Sequence, residues 1–154
     1  MKLSQILKPD AIKVISSASS KKRLLQDVGD LAHSAYHLDQ EHVVEALLER
    51  ESLGPTGVGH GVALPHARLA GIDEVSGIFL RLEKPVDFDS VDRQPVDIVF
   101  ALFAPEEAGV EHLKALALVS RTLRDSLLCK KLRANADAAT LHAILISEQD
   151  MKAA

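Results

Sequence analysis

Residues Val96 to Ala104 (VDIVFALFA) are apolar except for Asp97, and the unbroken part, Ile98 to Ala104, is the longest apolar run in the chain. It is far short of the roughly 20 apolar residues that a membrane-spanning helix needs. A strand with one wet face alternates polar and apolar residues, whereas a strand covered on both faces is apolar throughout. The run therefore predicts a central strand, closed by Pro105, with other elements packed on both sides of its sheet.

The rest of the chain supplies candidates for those layers. Ala11 to Ser16 alternates as a short strand does, and Val75 to Leu82 reads as another, ended by Lys84-Pro85. Ser20 is placed to cap a helix whose stripe is Leu24, Leu25, Val28, Leu31, Ala32 and Ala35. Asp39 is placed to cap a second, carrying Val43, Val44, Leu47 and Leu48 and stopped by Gly54-Pro55. A third helix is expected from about Val110 to Arg124, with Leu113, Leu116, Ala117, Ser120 and Leu123 along one side. Two shorter ones follow, at Ser126 to Ala134 and from an Asp137 cap to Ser147. Interleaved helices and strands predict an α/β sandwich, and no linker or repeat divides residues 1–154, which read as one domain.

Composition excludes several functions. Lys and Arg total 18 against 22 Asp and Glu, a net charge of −4, so nothing draws the chain strongly to nucleic acid or to an acidic membrane. The basic clusters Lys21-Lys22-Arg23 and Lys130-Lys131 with Arg133 read as solvated helix faces, and at 3% aromatics there is no platform for stacking bases. Cys129 is the single cysteine, which rules out an intrachain disulfide and reads as a passive helix residue. Met1 to Pro9 lacks the apolar core of a secretion signal, so a cytoplasmic protein, not embedded in a membrane, is expected.

Chemistry concentrates around a glycine-rich loop, Gly54-Pro-Thr-Gly-Val-Gly-His-Gly61, followed by Val62-Ala63-Leu64 and then Pro65-His66. It is not a P-loop, because His60 and Gly61 follow Gly59 where Lys and Ser or Thr belong. The dinucleotide fingerprint fails too, with Val62 in place of its last glycine. Glycine-rich backbone can nevertheless present N–H groups to an anion without a lysine. A neutral imidazole is a competent nucleophile near pH 7, so His66 could accept a phosphoryl group, or could instead be a hydrogen-bonded residue that shapes the turn. His112, near the start of a helix, could hold a phosphoryl oxygen or face solvent. Arg50, just before the loop, could pair with phosphate or merely balance Glu49 and Glu51.

The stretch from Leu48 through Glu-Arg50-Glu-Ser-Leu-Gly-Pro-Thr-Gly-Val-Gly-His-Gly-Val-Ala-Leu-Pro to His66 closely resembles the phosphorylation-site region of phosphotransferase-system enzyme IIA proteins. The branch it resembles is the fructose/mannitol class, and within that the nitrogen-regulatory type. The similarity continues through Phe88-Asp89, Gln94-Pro95-Val96-Asp97, His112-Leu113 and Leu116 to Leu123, nearly the whole chain. His60, Pro55 and Ala67 stand where relatives often carry other residues.

The resemblance implies a mixed β-sheet flanked by helices, with His66 as phosphoryl acceptor, His112 as second active-site histidine and Arg50 as upstream arginine. Thr56, Gly57, Gly59 and Gly61 would form a loop stabilising the phosphate, with neither cofactor nor metal required. The implied donor is an HPr-like phosphocarrier of the NPr type. The implied targets are kinases or transporters, under nitrogen- or potassium-type regulation set by the phosphorylation state. The chain carries no IIB-like domain, which favours regulation over a sugar-specific IIA that passes phosphate to a IIB protein. A remote alternative from the residues alone is metal binding by His60, His66 and His112.

Overall fold

The computed structural model describes the backbone of residues 1–153 and the side chains of residues 1–147. The apolar run becomes β6 (Val96–Pro105), and of its residues only Asp97 and Pro105 are not buried. One flank of β6 holds β5 (Ser76–Val86), antiparallel. Along the other flank lie β3 (Val62–Ala63) and β4 (His66–Leu69), both parallel to β6. β1 (Ile12–Ile15) runs parallel to β5, and β2 (Gly57–Gly59) antiparallel to β3, which completes a mixed, open sheet. β3 and β4 keep the same register on β6, Val62 opposite Ile98 and His66 opposite Leu102, so they are two halves of one line interrupted at Leu64-Pro65.

The helices are α1 (Leu3–Ile6), α2 (Lys21–Tyr36), α3 (Gln40–Ser52), α4 (Val110–Leu123), α5 (Ser126–Arg133) and α6 (Ala138–Ala153). α2 packs on β5, α3 on β4, α4 on β6 and α6 on β1. This is the expected α/β layering, and it buries Phe79, Phe100 and Phe103 completely or nearly so. The Tyr36 hydroxyl donates to the carbonyls of Gly77 at 2.8 Å and Ile6 at 3.2 Å, tying the end of α2 to the sheet and to α1. No helix among the described residues is long and apolar enough to cross a membrane.

Several boundaries move from their predicted places. α1 and a 3₁₀ turn at Pro9–Ala11 precede a first strand that is shorter than Ala11 to Ser16. Ser20 caps α2 as expected, its Oγ accepting from the Arg23 N–H at 3.1 Å. Asp39 stands at the start of α3 but its side chain caps nothing. β5 continues through Pro85 to Val86, because the register with β6 slips between Arg81 and Val86 and no ladder hydrogen bond is required of the proline there. On α4 the buried face is His112, Ala115, Leu118, Val119, Thr122 and Leu123, while Leu113 and Ala117 are exposed. That helix is apolar enough on two sides for periodicity to choose the wrong one. Asp137 does cap α6, accepting from the Thr140 N–H at 3.0 Å, but the helix runs on past Ser147.

The basic clusters are less passive than expected. Lys21 pairs with Glu51 at 2.7 Å and lies 4.6 Å from the Phe88 ring centroid, and Arg133 pairs with Asp97 at 2.9 Å. Cys129 is buried, with its thiol donating to the Leu123 carbonyl, and burial pushes its pKa up, away from a reactive thiolate.

Candidate active site

The break between β3 and β4 sets the position of the His66 imidazole. Pro65 has no N–H and restricts Leu64 to extended conformations, so the chain leaves β3 and re-enters the sheet at His66. Folding thereby turns the Leu64 carbonyl onto the His66 ring, with Nδ1 2.8 Å from that oxygen. A carbonyl oxygen can only accept, so Nδ1 carries the ring proton and Nε2 keeps its lone pair. The Arg50 Nε, which can only donate, sits 3.3 Å from Nε2, consistent with the same tautomer. A second Arg50 nitrogen, Nη1, donates to the Gly54 carbonyl at 3.0 Å and holds the guanidinium over the end of α3.

His112 enters from the first turn of α4, its ring centroid 5.6 Å from that of His66 and tilted by 52°. His112 is 6% exposed and its Nδ1 has no hydrogen-bond partner among the described residues. The pKa of His66 is lowered first by burial and also by the Arg50 charge, partly offset by the Leu64 hydrogen bond and by Glu51. That of His112 is lowered by burial, then by His66 and Arg68. Both rings are therefore held neutral at pH 7.

These side chains border an open cleft of about 480 Å³ that also takes in Ala46, Glu49, Leu53 and Arg68. Arg68 went unrecognised in the sequence, although the strand period of two places it on the same side of β4 as His66. With Arg50 it makes the cleft a place for an anion. Glu51 was also missed. It accepts from both the Thr56 N–H and the Thr56 hydroxyl while pairing with Lys21, and so locks the junction between α3 and the glycine loop.

Arg50, His66 and His112 thus come together, but the loop residues do not join them. The Thr56 N–H is committed to Glu51. Gly57 and Gly59 form β2 against β3, and a Cβ on Gly57 would collide with Ser90. Gly61, at φ 78°, packs against Arg133 and Asp97, and its carbonyl accepts from the Asp97 and Ile98 N–H groups. None of the four is among the residues that line the cleft. His60 sits in the turn that joins β2 to β3 and borders a different cleft from His66 and His112. No group of three or more His, Cys, Asp or Glu able to hold a metal occurs among the described residues.

A neutral imidazole pinned at Nδ1, with its Nε2 lone pair facing the Arg50 guanidinium, has the chemistry of a nucleophile beside a place for an anion. Residues 5–148 match the family described as phosphoenolpyruvate-dependent sugar phosphotransferase system, EIIA 2, and the chain belongs to that family. It is 46% identical to the nitrogen regulatory protein of Bradyrhizobium diazoefficiens over 145 residues, covering 94% of this chain and 95% of the relative. It is 38% identical to that of Escherichia coli over 146 residues, or 94% and 90% of the two chains. Its fold superimposes on the crystal structure of the nitrogen regulatory protein IIA-Ntr from Neisseria meningitidis with a TM-score of 0.86, at 37% identity, covering 93% of this chain and 98% of the other.

Proposed function

We propose that His66 Nε2 accepts a phosphoryl group from a phosphohistidine on an HPr-like carrier of the NPr type, and that the phosphorylation state regulates partner proteins in the cytoplasm. The observation that carries this reading is the pairing of His66 Nδ1 with the Leu64 carbonyl, which leaves Nε2 unprotonated in a cleft lined by arginines. In the transfer the Nε2 lone pair forms the new N–P bond as the donor's N–P bond breaks. The departing electron pair returns to the donor ring. His66 keeps its Nδ1 proton, and the Leu64 oxygen stabilises the positive character that the ring acquires.

Arg50 and Arg68 would face the three equatorial oxygens, where the transition state carries its charge. His112, neutral, would hold the acceptor ring in line with the incoming phosphorus. Leu53, at the rim, and Leu113, next to His112, are 81% and 63% exposed and offer a carrier protein apolar contacts around the cleft. The added charge of about −1.5 to −2 changes which surfaces dock there, and this is the physical route to regulation. The nitrogen-regulatory branch is supported by end-to-end similarity to relatives bearing that name.

The test is incubation with phosphoenolpyruvate, enzyme I and an HPr-type carrier, run on the native chain and on His66→Ala. Acid-labile phosphate is expected only on the native chain, and its absence there refutes the transfer. Efficient onward transfer to a sugar-specific IIB protein would refute the regulatory role.

A further inference from the structure

A second cleft, of about 510 Å³, opens between the β2–β3 hairpin and the junction of α4 with α5. Its volume falls within the range of small-molecule sites, roughly 300–1,000 Å³. The floor is apolar: Val62, Leu64 and Leu123 are almost fully buried, while Val58 on the rim is 50% exposed. Hydroxyls of Ser120 and Ser126 border it. Although the chain is net negative, no carboxylate lines this cleft and its full charges are Arg124 and Arg133. Arg133 is committed to Asp97 and the His60 carbonyl. Among the described residues Arg124 donates to Ser120 of its own helix, at 3.3 Å, and forms no ion pair.

We propose that this cleft binds a small organic anion, a carboxylate with an apolar body, and that its occupancy is transmitted to His66 through Leu64. The apolar body lies against Val62, Leu64 and Leu123, and the carboxylate takes the unspent donors of Arg124, an interaction stronger than a neutral hydrogen bond. Leu64 lines this cleft and contacts His66 through its backbone. Its N–H donates to the Thr56 carbonyl at 2.9 Å, and its carbonyl holds His66 Nδ1 at 2.8 Å. A ligand pressing on Leu64 therefore shifts the acceptor that fixes the His66 tautomer. The linkage is reciprocal, so the state of His66 alters ligand affinity as well. The site does not depend on phosphoryl transfer, because its signature is read on the unphosphorylated ring.

The test is NMR titration of the isotope-labelled full chain with 4-phenylbutyrate, and in parallel with its neutral amide, 4-phenylbutyramide. Expected are saturable shifts at Val58 to Leu64 and at Ser120 to Arg133, a shift of His66 Nδ1, and a dissociation constant below about 1 mM. The amide, and the carboxylate on Arg124→Gln, should bind at least about tenfold more weakly, as the loss of a charge-assisted contact requires. Ser120→Leu, which puts methyl groups into the cleft, should abolish binding. Should that variant fail to fold, the exposed Arg124→Gln still decides the outcome. Shifts that do not saturate by about 10 mM, equal affinity for acid and amide, or saturation that leaves the His66 ring unmoved would each overturn the proposal.

Discussion

Replacing Arg50 with methionine separates two effects that the geometry assigns to one guanidinium. Methionine keeps much of the apolar stem that packs along the cleft but removes the charge and its donors. The Nε contact to His66 Nε2 at 3.3 Å marks where a phosphoryl group would meet Arg50. A hydrogen bond to a charged group contributes about 1.5–3 kcal/mol. If it forms fully only with the transferring group, its loss slows phosphorylation by roughly 10- to 150-fold. The Gly54 carbonyl also loses its donor, at a cost to folding of about 1 kcal/mol or less, so the protein should still fold.

The second effect is on protonation. Arg50 is one of the groups that lower the His66 pKa, so removing it raises that pKa toward the ordinary value. The acid limb of the rate profile should move to higher pH together with the imidazole titration followed by NMR. Arg50→Lys should retain most of the charge effect while losing the fixed fork of donors, so its rate falls with little movement of the limb. Quenched-flow transfer from a phosphorylated carrier, measured across pH, reads both quantities. A rate within about twofold of the native protein, or a titration midpoint unmoved in Arg50→Met, would refute the role given to Arg50.

The His66 and His112 imidazoles both have depressed pKa values, so the unfolded chain binds more protons than the folded one between the folded values and about 6.5. Stability from these two groups is therefore present above about pH 6.5 and falls as pH drops through the folded values; urea midpoints at pH 7.5 and 5.5 should show the drop, and His112→Gln should reduce it. Phe100→Ala empties a fully packed position edge-on to Phe79, whose ring centroid is 6.3 Å away, and should cost about 3–5 kcal/mol in chemical denaturation. Gly57→Ala drives a methyl group into Ser90 and should cost about 1–3 kcal/mol, read as a lowered melting temperature, whereas unchanged melting would show that the hairpin relaxes freely.

Which parts of this molecule were readable beforehand follows from how local each determinant is. The centre of the sheet was legible because β6 is apolar at nearly every position, and such a run has few ways to be buried. The cap of α2 at Ser20 was legible because its donor lies three residues away. The buried face of α4 was not, since Leu113 and Leu116 satisfy a helical period as well as Ala115 and Leu118 do, and only contact with β6 selects between them. β5 passes Pro85 because its partner strand slips register at that point, a fact that resides in β6.

For the site, chain order alone made His66 conspicuous, at the end of a glycine-rich run and directly after a proline. Its tautomer was settled two residues upstream by the Leu64 carbonyl, but only once Pro65 had broken the line between β3 and β4. The meeting of His66 with His112 and Arg50 joins segments far apart in sequence and belongs to the packing of α3 and α4 around one end of the sheet. The glycines that suggested an anion cradle lie in and beside the β2–β3 hairpin, outside the residues lining the His66 cleft. Residue types announce which chemistry is available, because reactivity is a property of side chains. Which groups share a cleft depends on distances that arise when the sheet assembles and its helices settle against it.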